Sequence, residues 1–199
     1  MVADGTYKAE GNRDSDFKGK SILLESENGP EKCIVDCNGS SIDEHHGFYF
    51  HSSENANSII DGFTVTGAYS VYSYKRAGIW CENSSPVIKN CIISGNFGAG
   101  ISSIRGNPEI RNCIIKDNNS SGIRIEDKGN PVIENCTIMA NKTTYDGGGI
   151  FLGAGRSGMN KPAVIQCLIA LNSTSRYGAG IYIGAECYAE ITNCTITQN

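Results

Sequence analysis

The stretch N107-P-E-I-R-N-C-I-I-K-D-N118 decides the fold, because the chain repeats it. Aligned on the Asn-Cys pair, its counterparts end at Asn90-Cys91, Asn112-Cys113, Asn135-Cys136, Gln166-Cys167 and Asn193-Cys194, with a degenerate copy, Ser58-Ile59-Ile60-Asp61-Gly62-Phe63, upstream. Each copy runs on into an alternating stretch such as Cys91-Ile92-Ile93. Each is also preceded by a short strand led by glycine, at Gly47, Gly78, Gly100, Gly122, Gly149 and Gly180. The period is 22 residues at its tightest and reaches 31 where loops are inserted, a spacing that signals a solenoid. Apolar residues recur at every second position over runs of four to six, so the units are strands and not helices. Three strands per coil, stacked in parallel at roughly 4.8 Å, predict a parallel β-helix of about seven coils.

Period two also predicts the interior. The first strand of each coil sends in Phe48, Ile79, Ile101, Ile123, Ile150 and Ile181, and the second Ile60, Ile88, Ile110, Ile133, Val164 and Ile191. The third sends in Phe63 and the five repeat cysteines, then Val65, Ile93, Ile115, Ile138, Ile169 and Ile196. The residue before each cysteine sits at a sharp bend where positive φ is expected, and Asn tolerates that region better than other non-glycine residues. Stacked Asn side chains can bond to one another from coil to coil. Gln166 is expected to disturb this column locally.

The cysteines at the repeat position are expected to be free thiols packed as small hydrophobes. Cys33, Cys37, Cys81 and Cys187 are placed outside that column, where a disulfide among them is open.

The rest of the composition agrees with a strand-and-turn protein. Gly is abundant at 24 and Pro scarce at 5, with 39% hydrophobic and 19% charged residues, which excludes a disordered chain. The net charge of −4 comes from interspersed signs, so neither nucleic acid nor an anionic membrane is an expected partner. No run is apolar enough for a transmembrane helix, and the start MVADGTYKAE lacks the layout of a signal peptide.

The NC-T/I-I repeat with its GIY-like strand resembles the right-handed parallel β-helix repeat family, the superfamily that includes pectate lyases and polygalacturonases. The likeness covers about residues 47–199, while the stretch from Gly11 through the GFYF strand resembles the N-terminal coils of bacterial members of unknown activity. The whole chain, residues 1–199, is accordingly expected to be one all-β domain, with irregular coils over 1–46 and regular ones over 47–199. The resemblance implies an extracellular or cell-surface setting. Both ends look open, which implies further coils of a longer chain or a homo-oligomer.

In that family substrates lie along the outer face of the first strand. The outward residues there are Tyr49, Trp80, Ser102, Arg124, Phe151 and Tyr182. Aromatic rings on a strand face can stack on sugars, or they can form a column that stabilises the sheet. Four longer connections, 68–77, 142–148, 153–161 and 172–178, bring Tyr74, Lys75, Arg76, Tyr145, Asp146, Arg156, Lys161, Arg176 and Tyr177 beside that face. The substrate-binding set expected for a polysaccharide is therefore Tyr49, Trp80, Phe151, Tyr182, Tyr145, Arg156 and Arg176.

A lyase acting on an acidic sugar needs a base and a cation to stabilise enolate-like charge. Arg124, the only cation on this face, is the candidate catalytic residue. The resemblance to pectate lyases also implies calcium, for which Asp127 and Asp146 are the candidate ligands. Hydrolysis of the polygalacturonase kind is excluded, because HHG at 45–47 and RIE at 124–126 do not match its motifs. His45, His46 and His51 beside Asp43 and Glu44 are expected to form a solvated turn and not a metal site. The competing reading is a structural or adhesive module that binds another chain through the apolar stripe Ile92, Ile114 and Leu168.

Overall fold

A computed structural model describes residues 1–8, 10–70, 77–153 and 160–199. Every pairing between its named strands is parallel, and the strands fall into three long sheets and one two-stranded sheet. The first sheet contains Phe48–Phe50, Ala77–Glu82, Ala99–Ile104, Ile123–Glu126, Ile150–Leu152 and Ile181–Ile183. The second contains Leu23–Glu25, Ile59–Asp61, Val87–Lys89, Glu109–Arg111, Val132–Glu134, Ala163–Ile165 and Glu190–Thr192. The third starts with Gly5–Tyr7 and Cys33–Asp36 and continues through the strands after each bend, from Thr64–Thr66 to Thr195–Thr197. From Phe48 on, each coil gives one strand to each long sheet, which is the parallel β-helix that the repeat predicts. Among the described residues no helix is long and apolar enough to cross a membrane.

The register stacks like on like. Ile101 pairs with Ile79 and Ile123, Ile110 with Ile88 and Ile133, and Ile115 with Ile93 and Ile138. These columns are fully buried, and each isoleucine contributes about 1.5–3 kcal/mol over an exposed one. The N-terminal coils substitute phenylalanines. Phe17 meets Phe50 edge-on at 5.1 Å, and Phe48 meets Phe63 at 6.0 Å.

The bend before each cysteine has the expected backbone, with φ of 50–55° at Asn90, Asn112, Asn135 and Asn193 and +81° at Gly62. At Gln166 the backbone bend is unchanged, with a φ of 53° like the asparagines. Only the side-chain column changes there. Asn112 Nδ2 donates to Asn90 Oδ1 (3.3 Å) and Asn135 Nδ2 to Asn112 Oδ1 (2.8 Å). Among the described residues no amide bond extends this column to Gln166.

All nine cysteines are free. Cys33 corrects the expected column, because Ile34 pairs with Thr64, which puts Cys33 level with Phe63 and in line with the repeat cysteines. The thiols also do more than fill space. Cys91, Cys113, Cys136 and Cys167 each donate to the carbonyl two residues earlier, at 3.0–3.3 Å, across the bend. A small apolar side chain with a weak donor fits that position better than Ala or Val would.

A second amide column, inside the molecule, escaped the sequence reading. Asn96, Asn118, Asn141 and Asn172 are buried and joined from coil to coil. Asn118 Oδ1 accepts from Asn96 N (3.1 Å) and Asn96 Nδ2 (2.9 Å), while its own Nδ2 donates to Asn141 Oδ1 (2.9 Å) and Ile93 O (3.1 Å). Every polar atom of the amide is matched. The signal was present: each of these asparagines, and Asn199, stands five residues after a repeat cysteine. The same column explains the glycine-led strands, since a Cβ on Gly122 would lie 2.7 Å from Asn141 Nδ2.

Candidate functional site

The outward column of the first sheet separates into two stacks. In the N-terminal one, Tyr49 lies between His51 (3.8 Å, 11°) and Trp80 (4.3 Å, 6°), with His46 tilted against Trp80 at 5.9 Å. Trp80 is only 2% exposed and packs with Ala77 and Ala99. Its burial corrects the expectation of a surface ring: no face of Trp80 is offered to a ligand, and both faces of Tyr49 are covered. Burial, followed by the charges of Glu82, Asp16 and Glu54, holds the Tyr49 phenol above its ordinary range. Ser102, the next residue of the column, is buried as well.

In the C-terminal stack, the Arg124 guanidinium carbon lies 3.9 Å from the centre of the Phe151 ring, and Tyr182 stacks on Phe151 at 5.2 Å and 13°. Phe151 and Tyr182 are register partners on adjacent strands, as are Arg124 and Phe151. Both faces of Phe151 are therefore occupied. Arg124 also pairs with Glu126. The proposed catalytic cation is thus already neutralised and held by cation–π contact. Next to it Arg105 ties three coils together, reaching Asn83 Oδ1 (3.0 Å), Glu82 (2.9 Å) and Asp127 (3.2 Å).

The two loops beside this stack are built as a pair. Lys142–Thr143 and Ser173–Thr174 form a small parallel sheet of their own. Beyond it Thr174 Oγ1 donates to Tyr145 O, Ser175 Oγ to Thr144 O (3.1 Å), Tyr177 N to Asp146 Oδ1 (3.2 Å) and Gly147 N to Tyr177 O (3.0 Å). A Cβ on Gly147 would lie 2.7 Å from Phe151 Cα, so the loop presses directly against the strand. On this fixed backbone Tyr145 is 57% and Tyr177 74% exposed, with Arg176 5.9 Å above the Tyr145 ring.

The structure therefore joins Arg124, Phe151 and Tyr182 in one stack, and Tyr145 with Arg176 in a ridge. Arg156, Tyr74, Lys75 and Arg76 lie outside the described residues. The calcium ligands do not fit together: Asp127 faces the Arg105 guanidinium, and Asp146 accepts the Tyr177 N–H. Among the described residues no three carboxylates, imidazoles or thiols converge to hold a metal ion. The three histidines act as tethers. His45 Nδ1 is 2.5 Å from Asp14 and its Nε2 3.0 Å from Asp43, His46 Nδ1 is 2.9 Å from Ala77 O, and His51 Nε2 is 3.2 Å from Asp16.

A family model described as right handed beta helix region matches residues 2–169 and 56–199. No curated protein and no solved structure matches the chain.

Proposed function

Because the chain belongs to the right-handed β-helix family, we propose that it is a binding module for an extended, acidic polysaccharide, held at the loop ridge beside the first sheet. The observation that supports this most is the contrast within that ridge: a backbone fixed by coil-to-coil bonds carries two tyrosines left in solvent. Rings that stabilise the fold are buried or stacked, as Trp80 and Phe151 are. Tyr145 and Tyr177 expose most of their area instead, and Arg176 beside them supplies a charge for a carboxylate. Tyr182 and Arg124 extend the same surface along the strands.

Binding without chemistry is the better reading. Elimination needs a free cation and a base, whereas Arg124 is engaged by Glu126 and Phe151. Retardation of the purified protein in gels containing neutral or carboxylated polysaccharides tests the reading. Retardation is expected with the carboxylated polymers and should weaken as salt rises, since Arg176 is exposed to solvent. No retardation by any polymer at low salt would overturn it.

One observation favours a second reading, a docking face for another protein. Ile114 and Leu168 are 39% and 41% exposed on the third sheet, and Ile92 and Ile114 line a concavity of about 340 Å³ with Pro30, Lys32, Asn90 and Asn112. Thr137 stands between Ile114 and Leu168 and interrupts the stripe.

A further inference from the structure

Residues 14–19 run along the open side of the first sheet, ahead of its first named strand. Ser15 bridges to Phe48 in parallel, and Asp14 N donates to His46 O (2.8 Å), Ser15 N to Gly47 O (3.0 Å) and Tyr49 N to Ser15 O (3.0 Å). Phe17 turns inward onto Phe50. Outside, Asp14 meets His45 and Asp16 meets His51. These two contacts are partly exposed and contribute little.

The far end of the segment is held differently. Gly19 N donates to Glu54 Oε1 (2.8 Å), and Glu54 Oε2 accepts from Ser52 N (2.8 Å) and Ser84 Oγ (2.9 Å). One carboxylate, itself 2% exposed, thus joins three successive levels of the first-sheet edge. No cation pairs with Glu54 among the described residues. The ionisable groups that feel its charge are the Cys81 thiol and the Tyr49 phenol. On the elements around it Lys18 and Lys20 are exposed, His51 faces Asp16, and Glu82 faces Arg105.

The chemistry of such a site is one-sided. Three donors converge on two oxygens, and a carboxylate accepts from all of them in charge-assisted bonds. A protonated Glu54 would lose that charge and would have to give its O–H to Ser84 Oγ, turning that hydroxyl to Glu82 O (3.0 Å), so the bonds from Gly19 and Ser52 become neutral and weaker.

We propose that residues 14–19 form an acid-released strap, latched by the ionised Glu54 side chain and freed when that carboxylate takes up a proton, which uncovers the edge strand Phe48–Phe50. Burial alone would raise the Glu54 carboxyl, but the donors from Gly19, Ser52 and Ser84 outweigh it and hold the group below the ordinary glutamate range. The stabilisation is therefore fully present above that range and is lost as pH falls through the lower folded value. The strap is closed at neutral pH and opens in acid, ahead of the isoleucine columns, which carry no charge.

Hydrogen exchange, corrected for intrinsic rates and followed from neutral pH to about pH 3, tests this. The amides of Ser15, Gly19 and Tyr49 should lose protection at least roughly tenfold in acid, while those of Ile101 and Ile123 keep it. Glu54→Gln should show the open strap already at neutral pH. Ser84→Ala, which removes one donor and keeps the carboxylate, should open at higher pH than the parent, and it decides the matter if Glu54→Gln does not fold. Loss of protection in strap and columns together, or a strap indifferent to pH and to Ser84→Ala, would overturn the proposal.

Discussion

At the scale of the residue, matched and unmatched buried polar groups give opposite predictions. Ser103 points into the core between Cys81 and Ile125, is fully buried, and its hydroxyl has no partner among the described residues. Ser103→Ala removes that unmatched group and should raise stability by about 1 kcal/mol, read as a higher urea midpoint at unchanged slope. Asn118 is the reverse case, since its amide completes four bonds. Asn118→Ala should cost about 3 kcal/mol, because it strands donors on Asn96 and an acceptor on Ile93. The isoleucine columns are legible in the sequence because a period of two has one solution once an interior exists. The fate of Trp80 is not legible, because burial of an outward ring depends on what packs around it, here Tyr49, His46, Ala77 and Ala99.

At the scale of the element, the bends and the thiols behind them set the limits. A left-handed residue is readable from Asn and from Gly62, and Gln166 follows because the coil imposes the same φ on it. Restoring the shorter amide with Gln166→Asn should extend the outer column and add about 0.5–1 kcal/mol, measured by thermal unfolding. Accessibility of the thiols follows the coils. Burial, with Asp14 and Asp36 adding to it, pushes Cys37 up to about 12, and burial likewise raises Cys81. Alkylation of the native protein at neutral pH should reach the half-buried Cys187 and Cys194 first, and leave Cys37 and Cys81 untouched until unfolding. Modification of Cys81 as fast as Cys187 would contradict the packing described. The inner amide column is the element that spacing could have revealed, through Asn at five residues past each repeat cysteine, but a polar residue at a corner does not announce its burial.

At the scale of the whole molecule, the repeat and the proposed binding surface occupy different parts of the chain. The repeating positions, isoleucine, glycine, asparagine and cysteine, are taken up by stacking. Outside them, among the described residues, stand the paired loops at 142–148 and 172–178, which add a ridge without disturbing the register of the coils beneath. The insertions are visible in the sequence as lengthened periods. That they lock onto each other, and that Tyr145 and Tyr177 stay in solvent while Phe151 and Trp80 do not, follows only from the stacked coils.

The most direct measurement is the affinity of the purified protein and of the double variant Tyr145→Ala, Tyr177→Ala for the same carboxylated polysaccharide, with thermal unfolding recorded for both. The account predicts at least roughly tenfold weaker binding by the variant at an unchanged unfolding midpoint, because both rings are exposed and hold no part of the core. Equal affinities of the two proteins would contradict it.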